Sequence, residues 1–314
     1  MKKEELVSVV MSIYNPNIEY IIKQLDSINE QNYTNIEVII WDDNPKSDFD
    51  ESILQMHIKK YPYKYEKAMD NLGYAKAFEK LTTLAKGKYI AFCDQDDIWL
   101  KSKISKMVAE LKKDNVVLVT SDRSLIDEHD KVFVKSVRRE SGTIGDRWNT
   151  GDDILEISVF TTCAIGMNTT MKTDVAKSLL PIPEETAHDK WFAAGACVKG
   201  KVVFLDEILA LYRRHGENVS GTLVGINSKR DYYEQRVKTQ EKFSKEFLNR
   251  FPCIDGDRKK TIKDFTDARV NKKRFKIFRY RMLAPDIAKF EIVISLIPNF
   301  LFKLLVKLVQ SIVK

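Results

Sequence analysis

Three carboxylates fall within four residues at Asp94-Gln95-Asp96-Asp97, directly after the apolar run KYIAFC of residues 88–93. Like charges this close repel one another, and a divalent cation offsets that cost best. Hard oxygen ligands suit Mg2+ or Mn2+, ions that normally keep water and substrate phosphates in their shell. The same string also reads as a solvated turn in which Asp97 caps a helix beginning at Ile98. Asp42-Asp43-Asn44 follows another apolar run, IEVIIW, and either accepts hydrogen bonds from a base or sugar or forms an Asx turn. Asn71-Leu72-Gly73 carries less information, being a loop-to-helix junction.

Two later segments add complementary chemistry. His188-Asp189 opens an amphipathic stretch containing Trp191 and Phe192. A carboxylate beside an aromatic wall is what a general base needs, although an aspartate there also serves as a plain helix cap. Tyr212-Arg213-Arg214-His215-Gly216-Glu217-Asn218-Val219-Ser220-Gly221 places two arginines and a histidine in a polar segment. That composition suits a diphosphate clamp with His215 as a metal ligand, or a solvated basic loop.

These residues need a scaffold. LVSVVMSIY (6–14), IEVIIW (36–41), KYIAFC (88–93) and 115–121 read as buried strands. Residues 18–30, 50–60, 74–85 and 101–113 have helical spacing between them, and 63–67 reads as a short edge strand. This alternation predicts a doubly wound, mostly parallel α/β sheet with right-handed crossovers. Ligands of such sheets sit beyond the carboxyl ends of the strands, where Asn15, Asp42, Asp43 and the 94–97 cluster all fall. Neither G-x-G-x-x-G nor a P-loop motif follows the first strand, which argues against dehydrogenases and P-loop enzymes. Beyond 121 the pattern weakens: 130–160 reads as an insertion, 160–167, 202–204 and 208–212 as further strands, and 188–198 as a helix.

The 314 residues are 44% hydrophobic and 31% charged, the mix of a globular chain with a core. The net charge of +7 is unevenly spread. Residues 1–228 hold 30 basic against 35 acidic groups, whereas 229–282 hold 18 against 8. Four dispersed cysteines without a C-x-x-C pair argue against a disulfide framework or structural zinc, and the start lacks a signal peptide. These features predict a cytoplasmic protein with no membrane span. From Asn227 the chain reads as helical, basic and aromatic, so the predicted division is a catalytic domain over 1–226 and a helical region over 227–314. In residues 299–314, Lys303, Lys307, Gln310 and Lys314 form one polar stripe on an otherwise apolar helix. That pattern fits a segment lying in a membrane interface at the inner face of the cell membrane, with the preceding cluster, in which Phe275, Ile277, Phe278 and Tyr280 interleave with Lys272, Lys273, Arg274, Lys276, Arg279 and Arg281, drawn to anionic lipid headgroups. Packing on the domain or in a homo-oligomer is the alternative, and nucleic acid ranks last for want of a recognised motif.

Taken together, SVVMSIYN, IIWDDN, DNLGYAKAF, FCDQDDIW and AHDKWFAAGACVKGKVVFLDEILALYRRHGENVSG resemble an inverting family 2 glycosyltransferase of the GT-A fold. DQDDIW, the HD-plus-aromatic helix and YRxHxxNVxG are similar to bacterial rhamnosyltransferases of polysaccharide biosynthesis, and the resemblance spans about residues 6–221. It implies a nucleotide-sugar pocket bordered by Asn15, with Asp42 and Asp43 at the base, Asn71 and Gly73 near the ribose, and Asp94 towards the sugar. It further implies a Mn2+ or Mg2+ ion on Asp96 and His215, Arg213 and Arg214 facing the diphosphate, and Asp189 as catalytic base. Thr162, His188 and Trp191 fall in the implied acceptor region. The implied donor is dTDP-rhamnose, with a UDP-hexose or UDP-N-acetylhexosamine as the alternative, and the implied acceptor is a glycan or lipid-linked glycan. A non-catalytic sugar-binding module is a further alternative. Two positions depart from the family pattern: Thr162 stands where relatives favour glycine, and Asn44-Pro45 where many carry Gly-Ser.

Overall fold

A computed structural model describes residues 4–184, 186–215 and 225–312, with side chains as far as Lys307. The first half follows the hydrophobic pattern: β1 (Val7–Ile13), α1 (Ile18–Asn29), β2 (Ile36–Asp42), α2 (Ser52–His57), β3 (Tyr63–Lys67), α3 (Tyr74–Leu84) and β4 (Tyr89–Cys93). Asn17 caps α1 by accepting from the backbone N–H groups of Glu19 and Tyr20 at 3.0 and 3.3 Å, and Ile21, Leu25 and Ile28 are its buried stripe. Then come β5 (Ile98–Trp99), α4 (Lys103–Leu111), β6 (Val116–Ile126), β7 (Val132–Val134), α5 (Leu155–Phe160), β8 (Thr169–Lys172), α6 (Thr173–Ser178), α7 (His188–Lys199) and β9 (Lys201–Arg213). Helices follow: α8 (Lys229–Tyr232), a π-helical turn over Tyr233–Lys238, α9 (Thr239–Arg250), α10 (Gly256–Val270), α11 (Arg274–Arg279), α12 (Pro285–Leu296) and α13 (Asn299–Ile312).

The strands form one mixed sheet in the order β3-β2-β1-β4-β8-β6-β9-β5, with β7 paired to β6. β1 to β4 pair in parallel, as do β6 and β9. The sheet departs from the predicted, mostly parallel one at β8, which runs antiparallel between β4 and β6, and at β5 and β7. β8 follows directly on the 3-10 turn at Gly166–Asn168 and starts opposite the carboxyl end of β4, which sets it antiparallel.

Three further expectations are corrected. Residues 160–167 do not form a strand: α5 ends at Phe160 and a 3-10 turn spans Gly166–Asn168, although most of these side chains are buried. A short apolar run marks burial without settling the secondary structure. The predicted strands 202–204 and 208–212 are one strand, β9, from which Asp206 and Glu207 bulge between the pairs Ser121–Leu205 and Asp122–Ile208. Ile98 starts no helix; it pairs with Leu211, so Asp97 precedes a strand.

The described chain divides into two compact units. Met1–Asp153 with Thr162–Arg213 forms the first, and Ile154–Thr161 with Arg214–Lys314 the second. The core of the first packs α1, α2 and α4 on the sheet through side chains such as Leu25, Leu54 and Met107. In the second, the Phe160 and Phe265 rings meet edge to face at 4.7 Å, and Gln240 donates to the Val159 carbonyl at 2.9 Å. Among the described residues no helix is long and apolar enough to cross a membrane.

The second unit is crossed by a buried ion pair. Arg269 donates through Nη2 and Nε to Glu291 Oε1 at 2.8 and 3.1 Å, and Tyr232 donates to the same oxygen at 3.0 Å. Removing one partner strands a charge in a low-dielectric interior, which costs about 3–5 kcal/mol. Arg269→Ala is therefore expected to lower the thermal midpoint sharply, while the apolar double substitution R269M/E291L recovers much of the loss. Equal melting of R269A and the wild type would remove the pair from this role.

Candidate active site

The site is built on the carboxyl rim of three parallel strands. Ile13 lies beside Asp42 and Met11 beside Cys93, so the chain leaves β1, β2 and β4 on one edge carrying Asn15, Asp43 and Asp94. Asn15 takes a left-handed conformation with φ 45°, which asparagine tolerates, and its Oδ1 accepts from Asn44 Nδ2 at 2.7 Å. Gln95 clasps the same loop: its Oε1 accepts from the Tyr14 N–H at 2.8 Å and its Nε2 donates to the Tyr14 carbonyl at 3.3 Å. The acidic turn after β4 is thus tied to the end of β1.

Asp42 and Asp43 are both buried. Asp42 accepts from the Tyr65 hydroxyl at 2.8 Å and the Asn44 N–H at 3.1 Å. Asp43 Oδ1 accepts from Trp41 Nε1 and the Leu72 N–H, and its Oδ2 from the Gly73 N–H at 2.8 Å. Asn71 Oδ1 also accepts from the Gly73 N–H, at 2.9 Å. The strand-end carboxylate therefore fixes the 71–73 loop, whose Gly73 has φ 75° and which launches α3 at Tyr74. The Tyr74 phenol is raised by burial and by the charge of Asp189, which links this loop to the start of α7.

Asp94 and Asp96 are half-buried, whereas Asp97 is fully buried. Burial, then the charges of Asp96 and Asp189, pushes the Asp94 carboxyl up to about 7. Burial also raises Asp97, whose Oδ1 accepts from the Arg213 N–H at 2.8 Å and whose buried Oδ2 has no hydrogen-bond partner. Two cations answer these charges from inside the protein. The guanidinium of Arg213 is fully buried, donates to the Asp96 carbonyl at 2.8 Å and the Asp127 carbonyl at 2.9 Å, pairs with Asp130, and lies over the Tyr20 ring. Lys103 is buried over the Trp99 ring, donates to the Met167 carbonyl, and is lowered to about 7 by burial against the pull of Cys93, Asp97 and Asp94.

On the other side of the rim, Asp189 is half-buried in the first turn of α7. Its carboxylate accepts from the Lys190 N–H at 2.7 Å and the Gly166 N–H at 3.4 Å, while burial raises it above the usual carboxylate range. His188 stacks on Phe78 with ring centroids 3.9 Å apart. Burial lowers His188 to about 3, so the imidazole is neutral, and neither ring nitrogen has a hydrogen-bond partner. A Cβ on Gly166 would stand 2.6 Å from His188 Nε2, so only glycine lets the 161–168 segment approach this closely.

The structure thus gathers Asn15, Asp42, Asp43, Asn71, Gly73, Asp94, Asp96 and Asp189 in the first unit and couples Asp94 to Asp189. Trp191 is fully buried and donates from Nε1 to the Leu179 carbonyl, a core position, and Thr162 is half-buried. Arg214 and His215 are half-buried and open the second unit, and the rest of the predicted clamp, 216–221, lies outside the described residues. Gln95, Gly166 and Lys103 had no assigned role in the sequence. Lys103 carried a signal: it stands four and eight residues before Met107 and Leu111 on the buried stripe of α4.

The donor chemistry of the acidic turn fits a hard divalent cation, with two accessible carboxylates ahead of an unpartnered buried oxygen. Among the described residues no three His, Cys, Asp or Glu side chains are placed to hold a metal by themselves. Mg2+ commonly uses one or two carboxylates and leaves the remaining positions to phosphates and water.

The mixed sheet, with carboxylates on its strand-end rim and a helical C-terminal region, is an α/β fold of the GT-A type. The chain belongs to glycosyl transferase family 2, whose sequence model matches residues 8–178. An uncharacterized glycosyltransferase of Nostoc sp. is 27% identical over 259 residues, 78% of this chain and 75% of its own length. Among solved structures, S. aureus TarS 1–349 aligns with a TM-score of 0.57 at 18% identity, covering 91% of this chain and 83% of TarS; TarS is also seen in complex with UDP-GlcNAc. The mannosyltransferase PcManGT of Pyrobaculum calidifontis, in complex with GDP-Man and Mn2+, aligns with a TM-score of 0.58 at 15% identity over 100% of this chain and 82% of its own.

The raised Asp94 carboxyl has a measurable consequence. In the metal-free folded protein it keeps its proton to about pH 7, whereas the unfolded chain releases it near 3.8. The folded state binds the extra proton across that window, so this group lowers stability as pH rises from about 4 to 7. Asp94→Asn, which cannot ionise, is expected to gain on the wild type in thermal midpoint across that window in EDTA. Parallel pH profiles for the two proteins would contradict it.

Proposed function

We propose that this enzyme transfers a sugar from a nucleoside-diphosphate donor to an acceptor hydroxyl in a single displacement with inversion, and that Asp189 is the base. One observation carries the reading: Asp189 is a half-buried carboxylate at the start of α7, raised by burial, and its charge is felt by Asp94 on the acidic turn. A base needs to be close to, yet distinct from, the group on the donor side. The proton of the acceptor hydroxyl passes to an Asp189 carboxylate oxygen, and the acceptor oxygen forms its bond to the anomeric carbon. The bond from that carbon to the diphosphate breaks, and its electron pair leaves with the diphosphate. No covalent enzyme intermediate is needed, so a single mandatory carboxylate suffices, unlike in a retaining glycosidase.

Asp96 would hold Mg2+ or Mn2+, with His215 as the ligand expected from the sequence, and a bound ion supplies neutralisation of the departing diphosphate. The Asp43–Gly73 contacts shape the wall beside the nucleoside, while Asn15 borders the pocket. Arg214 is kept as a diphosphate contact. Arg213 is left out of that contact, because its guanidinium is already engaged by the Asp96 and Asp127 carbonyls and Asp130. The neutral His188 and Gly166 form the dry backing of Asp189, towards the acceptor side with Thr162.

The favoured donor is dTDP-rhamnose, on the DQDDIW and YRRHGENVSG segments; the UDP-GlcNAc bound by TarS supports a UDP-sugar as the second candidate. The acceptor is a lipid-linked glycan precursor of a bacterial surface polysaccharide, met at the cytoplasmic face of the membrane.

Asp189→Asn is expected to reduce transfer by about 10²–10⁴-fold while leaving nucleotide affinity intact. Wild-type activity should fall as pH drops through the raised Asp189 value, because the base must be ionised. Nucleoside diphosphate release across dTDP-rhamnose, UDP-glucose and UDP-GlcNAc, with Mn2+, Mg2+ or EDTA, identifies the donor and the ion. Turnover by D189N at the wild-type rate would sink the mechanism.

A further inference from the structure

The helical unit presents a face that the transfer reaction does not use. Phe275, Phe278 and Met282 are 92%, 55% and 63% exposed, and apolar surface of that size is unfavourable in water. Phe278 and Met282 join Pro285, Ile292 and Val293 around a groove of about 400 Å3, with Arg281 and Lys289 in its wall. The Arg281 guanidinium lies over the Phe278 ring, 4.1 Å from its centroid, and its Nη1 donates to the Phe278 carbonyl at 2.9 Å, so a cation sits directly on the exposed aromatic. Residues 272–289 hold seven Lys or Arg against one acidic residue, Asp286. The terminal helix, which the sequence pattern marks as the membrane segment, is less free: α13 buries Phe302 and Val306 in the core of the helical unit.

We propose that the α11–α12 face is a docking surface for an anionic lipid bilayer. Phe275 and Phe278 enter the interfacial layer, the groove takes up acyl-chain surface, and the flanking cations meet the headgroup phosphates. Charge selects this occupant over a second copy of the chain, since a face so rich in cations repels its own duplicate. The inference does not depend on the transfer chemistry, because vesicle binding requires neither donor nor acceptor.

The test is co-sedimentation of the full chain with phosphatidylcholine vesicles, with and without phosphatidylglycerol, at low and high salt. Binding is expected only with phosphatidylglycerol and is expected to weaken as salt rises. F275S/F278S, which alters exposed side chains, should weaken it by about tenfold or more, and K276E/R279E should remove the preference for the anionic lipid. An unchanged circular dichroism spectrum shows that the variants fold. Equal binding to neutral vesicles, or wild-type binding by F275S/F278S, would overturn the proposal. So would a dimer in solution that F275S/F278S dissociates while vesicle binding stays unchanged, which would give the face to a second copy.

Discussion

Three strands end on one rim, and two of them, β2 and β4, deliver carboxylates there. Asp42, Asp43, Asp94, Asp96 and Asp97 leave the ends of β2 and β4, the two strands that flank β1, and Asp189 adds its charge from α7. Collecting that much negative charge in a half-buried place is unfavourable unless each carboxylate is met by donors or cations. The surrounding architecture follows from how this is done. Asp42 and Asp43 are satisfied locally, by Tyr65, Trp41 and backbone N–H groups. The 94–97 turn is met from behind by Arg213, with Lys103 buried nearby, and burial still holds Asp94, Asp97 and Asp189 above the usual carboxylate range. Asp42 and Asp43, by contrast, use their hydrogen bonds to hold loops.

Cations therefore divide into two kinds. Of those fully buried in the first unit, Arg213 braces the acidic turn directly, and Lys103 lies near it while bonding the Met167 carbonyl. Arg213 reaches from the end of β9 to the β6–β7 turn through the Asp127 carbonyl and Asp130, so a change there would reach Asp96 through backbone rather than through substrate. A buried arginine in this position raises the positional precision of the turn. Those at the surface, on α11 and its flanks, are a separate population with a separate use.

How much of this was legible beforehand depended on whether the signal was local. Strand ends followed by Asp or Asn mark the rim because a buried strand must stop where polar residues begin, and β1, β2 and β4 stop there. The helices α1, α3 and α4 follow from spacing alone. Pairing was not legible: β8 is Thr-Thr-Met-Lys, a segment with one apolar residue and no strand pattern, and only its neighbours make it antiparallel. Nor was the difference between Arg213 and Arg214, adjacent residues of identical type, since burial separates them and composition does not. Gly166 was equally silent, because the atom it makes room for, His188 Nε2, lies 22 residues further along the chain.

The short helix α5 has a consequence for how this enzyme can be taken apart. Leu155–Phe160 comes from the middle of the chain, yet its side chains complete the core of the helical unit, through Phe160 on Phe265 and the Val159 carbonyl on Gln240. The C-terminal region is consequently not an appendage that can be clipped at a linker. Cutting the chain after the last strand would leave α5 behind with the apolar side of Val159 and Phe160 stripped of its partners.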